Sequence, residues 1–319
     1  MFHPTTSKSG RILFYPLILI CKWMGKCSPV TLIRLRYFFT FRRCVDLKNP
    51  KDLNEKILWA KLYSDTSKWT ELADKYKVRS YVESIGLKEI LPKLYGVWYH
   101  IDEIDFASLP SSFIFKANNG DGTGTNLIVR DKEKMTEKQR KNILSTLDHW
   151  LKRKDIGILH VEPQYKDMVP CIIAEELLIQ SDDTESLIDY KIWCIYGKAH
   201  YICVYYDRDV EGGKAYKLTY DLEWNAHPEY TVFTSDYPQG KLLPKPQNLE
   251  KMIHIAEQLS AGFPEVRVDL YNINGKIYFG ELTFTSQGGL MDSFSQEFLT
   301  ELGSLINIKD FPPKKQKTK

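Results

Sequence analysis

Residues 263–289, FPEVRVDLYNINGKIYFGELTFTSQGG, constrain the chain more than any other stretch. Two runs rich in β-branched and aromatic residues, 266–271 and 276–284, flank Asn274-Gly275, a pair that favours a tight hairpin turn. Each run carries an acid, Asp269 and Glu281. An acid within a strand costs stability unless it is paired or binds a metal, so both need a partner. Side chains alternate across a strand, and loop length therefore decides whether the two acids share a face. A two-residue Asn-Gly loop would set Asp269 opposite Gly280 and send Glu281 to the other face. A three-residue loop, with Gly275 as the left-handed bulge residue, puts both carboxylates on one face. The three-residue loop is the expectation here, because two convergent carboxylates beside Arg267 would make a cation and phosphate site. These residues alone also allow an ordinary hairpin, with one acid paired to Arg267 and the other in solvent.

Composition narrows the class. The 319 residues are 43% hydrophobic and 27% charged, which suits a globular protein of two domains or one large unit with subdomains. The net charge of +3 is unevenly spread. Residues 1–45 hold Lys8, Arg11, Lys22, Lys26, Arg34, Arg36, Arg42 and Arg43 and no acid, so the chain opens with a basic arm. Six cysteines show no CxxC pair or framework spacing; Cys171, Cys194 and Cys203 lie in apolar runs, which fits small core residues and a reducing cytosol. Residues 12–21, ILFYPLILIC, fall far short of the ~20 that a spanning helix needs, and Pro16 interrupts them. With residues 30–43, VTLIRLRYFFTFRR, they read either as a surface that touches anionic lipid or as a helix pair packed on the body.

Along the chain, Asn54 opens a helix with Ile57, Leu58, Lys61 and Leu62 on one side. Trp69, Leu72, Ala73 and Tyr76 predict a second helix over 68–85, stopped at Gly86. Lys75 and Arg79, one turn apart, could meet an anion but read as a solvated face. Residues 110–132 read as strand, glycine-rich turn and strand. Lys116 ends the first strand, and Gly120, Gly122 and Gly124 allow the backbone to approach a phosphate closely. A helix over 136–150 follows, with Ile143, Leu144, Leu147 and Leu151 as its stripe. Next come a buried strand ending in Glu175 and Glu176, and a hairpin turning at 196–198 that carries Asp189, Lys191, Asp207 and Arg208. Residues 221–246 read as a loop. Asn248 caps a helix whose Met252, Ile253, Ala256 and Leu259 face a core, and the tail PPKKQKTK reads as disordered. The order of elements predicts an α+β fold with antiparallel sheets.

Seven segments in series resemble the ATP-grasp superfamily, and most closely the TupA-like branch associated with bacterial surface polysaccharides. They are LNEKILWAKLY (53–63), LADKYKVRSYVE (72–83), FIFKANNGDGTGTNLIV (113–129), IIAEELL (172–178), DYKIWCIYGK (189–198), VRVDLY (266–271) and GELTFTSQGG (280–289). The resemblance implies two α+β subdomains clasping ATP. Its parts would be a basic helical arm over 1–50, an N-terminal subdomain over 51–109, a lid over 110–180, a central subdomain with the metal site over 181–308 and a tail over 309–319.

The resemblance also implies roles. Lys116, under a lid containing Asn118, Gly120, Gly122 and Gly124, would contact the ATP phosphates. Glu175, Glu176 and Leu178 would form the adenine and ribose hinge. Lys191, Arg208 and Arg267 would face the phosphates or an acyl phosphate, and Asp269, Glu281 and Thr283 would hold one or two Mg²⁺ ions. The branch departs from the usual Glu-x-Asn at the metal position, which is Glu281-Leu282-Thr283 here. The implied activity is an ADP-forming carboxylate–amine ligase of the cytoplasm. Its partners would be a uronic-acid sugar or polysaccharide precursor and an amino acid or amine, with peripheral contact at the inner membrane. The alternative is a glycosyltransferase using a nucleotide sugar, for which Asp207-Arg208-Asp209 has the DxD form. Nucleic acid is not an expected partner, because the basic residues are confined to arm and tail.

Overall fold

The computed structural model of the chain describes residues 8–120, 124–153, 155–180, 186–208 and 214–314, with side chains described from residue 16 onward. Gly122 of the expected lid, Asp209 of the DxD-like triplet, residues 1–7 of the arm and residues 315–319 of the tail lie outside them.

Two helices, α1 (Lys8–Cys27) and α2 (Pro29–Phe41), meet at Ser28. Pro29 starts α2, where a missing N–H leaves no bond unmade. Helix α3 (Leu53–Tyr63) is capped by Asp52, whose carboxylate accepts from the Glu55 N–H.

The single helix expected over 68–85 is two, α4 (Ser67–Leu72) and α5 (Val78–Ser84). Asp74 breaks it. Its fully buried carboxylate accepts from the backbone N–H groups of Tyr76 and Lys77 and from the Asn118 amide, local bonds that compete with a helical ladder.

A four-stranded sheet has the order β1 (Leu94–Trp98), β4 (Ile172–Glu175), β2 (Phe113–Ala117), β3 (Asn126–Val129), all antiparallel. Phe113, Phe115 and Ala117 alternate onto its covered face and pack with Leu147 and Trp150 of α6 (Glu137–Lys152), which Thr136 caps. The opposite face presents Ile114, Lys116 and Glu175. Strand β1 was not legible as a strand in the sequence, being short and broken by a register shift between Leu94 and Gly96.

A five-stranded antiparallel sheet has the order β7 (Tyr216–Tyr220), β6 (Lys198–Tyr206), β5 (Asp189–Ile195), β8 (Glu265–Ile273), β9 (Lys276–Thr283). One face is apolar: Ile192, Val204, Val266, Val268 and Leu270 are buried beneath Met252, Ile255, Ala256 and Leu259 of α7 (Leu249–Leu259). Each such side chain contributes about 1.5–3 kcal/mol when fully buried. Asn248 sits before α7 but makes no side-chain cap. Instead it donates to the Gly275 carbonyl and accepts from Asn272, tying α7 to the β8–β9 turn. Helix α8 (Gln296–Ser304) follows β9. The architecture is α+β with antiparallel sheets, as the element order predicts.

Candidate active site

The β8–β9 turn is not the three-residue loop expected. Ile273 pairs with Lys276, so Asn274-Gly275 is a two-residue turn with both residues at positive φ, 51° and 82°. A regular ladder from that turn would set Gly280 opposite Asp269. The register shifts instead between Leu270↔Phe279 and Asp269↔Glu281, leaving Gly280 as an extra, bulged residue. Thus both acids occupy one face by a different device. The extra residue sits five places beyond the turn, at a glycine whose Cβ would lie 2.9 Å from the Asp269 carbonyl oxygen.

Strand alternation now assembles a site across the whole sheet. One rung reads Thr219, Cys203, Lys191, Asp269, Glu281 from β7 to β9. Beside it, Trp193, Arg267 and Thr283 form a second rung and Lys217, Tyr205, Asp189, Tyr271 and Tyr278 a third. Arg267 grips Asp269 with two bonds, Nε to Oδ1 at 2.7 Å and one Nη to Oδ2 at 2.8 Å. The guanidinium also reaches Thr283 Oγ1 at 3.1 Å and Ser286 Oγ at 3.0 Å. Lys191 donates to Asp269 Oδ2. The Thr283 hydroxyl donates to Glu281 Oε1 at 3.2 Å, and Lys75 donates to Glu281 Oε2 at 3.2 Å. Arg208 donates to Asp189 at 2.6 Å, and Lys191 lies 3.8 Å from that same carboxylate.

These contacts set protonation. Burial pushes the Glu281 carboxyl up, but Lys75, Lys191 and Arg267 prevail and hold it at about 2. The side chain still keeps 40% of its surface open, so its charge faces solvent as well as its partners. Burial disfavours the charged form of Arg267, and Asp269 more than reverses this, so the guanidinium stays fixed as a cation. Asp189, with burial, drives the Tyr271 hydroxyl well above its ordinary value.

The four-stranded sheet supplies a second cluster. Lys116 donates to Glu175 Oε2 at 2.9 Å, and Arg79 donates to Glu175 Oε1 at 2.7 Å and to the Pro92 carbonyl at 2.8 Å. Asn118 is buried and spent on structure: its amide donates to Asp74 and Val169, and its oxygen accepts from the Cys171 N–H. Glu176 exchanges backbone and side-chain bonds with Lys93, and Leu178 is half-buried just beyond β4. Gly120 is pressed against Thr125, while Gly124 has φ 90° and open space around it.

Lys75 joins the clusters. Its backbone N–H donates to the Asn118 carbonyl, and its ammonium to the Gly120 carbonyl at 3.3 Å and to Glu281. The sequence presented Lys75 and Arg79 as a solvated face. They are instead half-buried and each meets an acid on a different sheet. The one available signal was their possible anion pairing, and only the fold brings Glu175 and Glu281 within reach.

Helix α3 holds the loop after β9. Asn54 accepts from the Met291 N–H, and Lys61 donates to the carbonyls of His160 and Gly288 at 2.5 and 2.6 Å. Burial lowers the Lys61 ammonium to about 7, with Glu162 opposing that shift. Gln287 and Gly288 turn at positive φ, which directs Ser286 toward Arg267.

A divalent cation fits the donor chemistry. Among the described residues no three His, Cys, Asp or Glu side chains gather. Asp269, Glu281 and the Thr283 hydroxyl nevertheless offer hard oxygen donors on one face, the kind that Mg²⁺ takes with additional water and phosphate oxygens.

Solved structures similar to the chain include D-alanine–D-alanine ligase from Bacillus anthracis, with 13% identity over 76% of this chain and 67% of that one, at a TM-score of 0.45. L-amino acid ligase from Bacillus licheniformis gives 14%, 92%, 64% and 0.47. N5-carboxyaminoimidazole synthetase from Staphylococcus aureus, complexed with ADP, gives 11%, 76%, 54% and 0.43. The chain spans about two thirds or less of these proteins, and likenesses this distant carry no argument about its chemistry. No curated protein matches it. Family membership rests on residues 55–307, which match the family described as TupA-like ATPgrasp and contain both clusters and all of α3 but its first two residues. The chain belongs to the TupA-like ATP-grasp family.

Proposed function

We propose that the chain is an ADP-forming carboxylate–amine ligase. Its acid substrate would be a uronic-acid carboxylate on a bacterial surface polysaccharide or its precursor, and its second substrate an amino acid or amine. The observation that carries the reading is the register of Asp269 and Glu281. The bulge sets them side by side with Lys191, Arg267 and Thr283 at hydrogen-bond distance, a balanced patch of hard oxygens and fixed cations. Such a patch suits a polyphosphate and a divalent ion together.

In this reading Lys116 and the glycine-rich turn bind the phosphates, and the strand end with Glu175, Glu176 and Leu178 lines the base and ribose. Asp269, Glu281 and Thr283 would hold Mg²⁺, which would neutralise charge on the transferring phosphoryl group. A substrate carboxylate oxygen attacks the γ-phosphorus, the bond to the β–γ bridging oxygen breaks, and ADP leaves. The amine then attacks the acyl carbon. A C–N bond forms, phosphate departs with the C–O electron pair, and the amine loses its proton. Lys191, Arg208 and Arg267 offset the charge that builds when two anions meet. Lys75, already bonded to the Gly120 carbonyl and to Glu281, would position the lid over the site and help to exclude water from the acyl phosphate. A lipid-linked acceptor and peripheral membrane contact fit the basic arm, and a cytoplasmic location fits both substrates.

Thermal melting of the purified chain with Mg²⁺-ATP, Mg²⁺-ADP and a panel of nucleotide sugars tests this, with Asp269→Asn alongside. Saturation at ~100 times the dissociation constant should add about 2.7 kcal/mol of stability. A rise with Mg²⁺-ATP that weakens in Asp269→Asn, followed by ADP release dependent on an acid and an amine, is expected. A rise with a nucleotide sugar and none with ATP would overturn the ligase in favour of a glycosyltransferase.

A further inference from the structure

The α1–α2 pair turns an apolar face outward that the fold does not use. On α1, Leu17, Leu19, Ile20 and Trp23 are exposed, Trp23 by 65%; on α2, Leu35, Phe38 and Phe39 are exposed by 42–47%. They recur at helical spacing on the sides turned away from the body. The inner sides are committed. Ile33 and Tyr37 are buried against Leu58 and Leu62, Leu32 is buried too, and Lys22 pairs with Asp155. At Gly25 an added Cβ would lie 2.5 Å from the Ile158 carbonyl oxygen. The outer face is therefore not a core surface awaiting a small shift.

Its border is cationic. Lys26, Arg34 and Arg42 are exposed, and no acid occurs before Asp46. We infer that this face docks in the plane of an anionic lipid bilayer, with Trp23, Phe38 and Phe39 at the headgroup boundary and the basic residues on the lipid phosphates. An interfacial helix pair needs this combination of an apolar aromatic face and Lys/Arg without acids. A second copy of the chain fits less well, because a two-fold contact would set basic borders against each other with no acid between them. The pair lies on the membrane and does not cross it: no helix among the described residues is long and apolar enough to span. The inference stands on this surface alone and does not depend on the ligase chemistry.

Flotation of the full chain with phosphatidylglycerol/phosphatidylcholine vesicles, against pure phosphatidylcholine, tests it. Binding to the anionic vesicles that falls with salt is expected, with bromolipid quenching of tryptophan emission that Trp23→Phe diminishes. Removing one border charge should weaken binding about fivefold. Trp23→Ser/Phe39→Ser and Lys26→Glu/Arg34→Glu should each abolish flotation while leaving the melting temperature within a few degrees of wild type. Equal binding to neutral vesicles, or flotation unchanged in both variants, would overturn the inference. A concentration-dependent dimer that Trp23→Ser/Phe39→Ser dissociates, with no flotation, would overturn it too and name a second copy as the occupant.

Discussion

Glu265 shows what a single residue costs away from the site. It opens β8, is 3% exposed, and its Oε1 has no hydrogen-bond partner among the described residues. Burial pushes its carboxyl up to about 8 from an ordinary 4.5, and Arg267 only partly offsets this. A raised folded value means that the native state binds more protons between 4.5 and 8, so this residue's contribution to stability is full below 4.5 and is lost as pH rises through 8. Glu265→Gln carries no charge to bury. Urea midpoints should show it on the order of 1–3 kcal/mol more stable than wild type at pH 8.5, with the difference vanishing near pH 4.5. Asp269 is the contrast: equally buried, but held by a bidentate guanidinium and a lysine. A lone buried carboxylate is a liability; the same group between cations becomes a site.

Two irregular elements, a bulge and a broken helix, do the positioning. Gly280 lets β9 admit an extra residue because nothing projects toward the Asp269 carbonyl, and that residue brings Glu281 opposite Asp269. Gly280→Ala would force a Cβ into a 2.9 Å gap against backbone. The expected cost is about 1–3 kcal/mol in denaturant unfolding, together with loss of the Mg²⁺-ATP melting shift as the two carboxylates separate. Asp74 acts similarly between α4 and α5. It lies between the two helices, accepts from the Tyr76 and Lys77 N–H groups and clamps Asn118 at the root of the glycine-rich turn. Asp74→Ala should cost about 1–3 kcal/mol and speed amide exchange at 118–120, a local effect that general destabilisation would not confine there.

Across the described residues, one segment carries polar links to both sheets. Lys75 touches the glycine-rich turn of one and Glu281 of the other, while Arg79 from the same segment reaches Glu175. A ligand bridging both sheets should therefore protect both at once. Mg²⁺-ATP is expected to slow amide exchange at 118–120 and at 279–283, whereas ADP without Mg²⁺ should protect mainly the first. Protection confined to one sheet with Mg²⁺-ATP would contradict a nucleotide held between them.

The α+β class, the order of the chief strands and helices and the family itself were legible from local pattern: alternation in 266–284, helical periodicity in α3, α6 and α7, and seven segments in series. These follow from side-chain period and turn chemistry, which act over a few residues. That Asp269 and Glu281 share a face was also expected, though through the wrong loop. Asn-Gly favours a two-residue turn by its own φ preferences, and the bulge that restores the register depends on how β9 lies against β8. Only the tertiary structure decided the partners: Lys75 for Glu281, Arg79 and Lys116 for Glu175, Asn54 and Lys61 for the loop beyond β9. Such pairs join residues far apart in the chain, and a charged side chain looks the same in the sequence whether an acid or water will meet it.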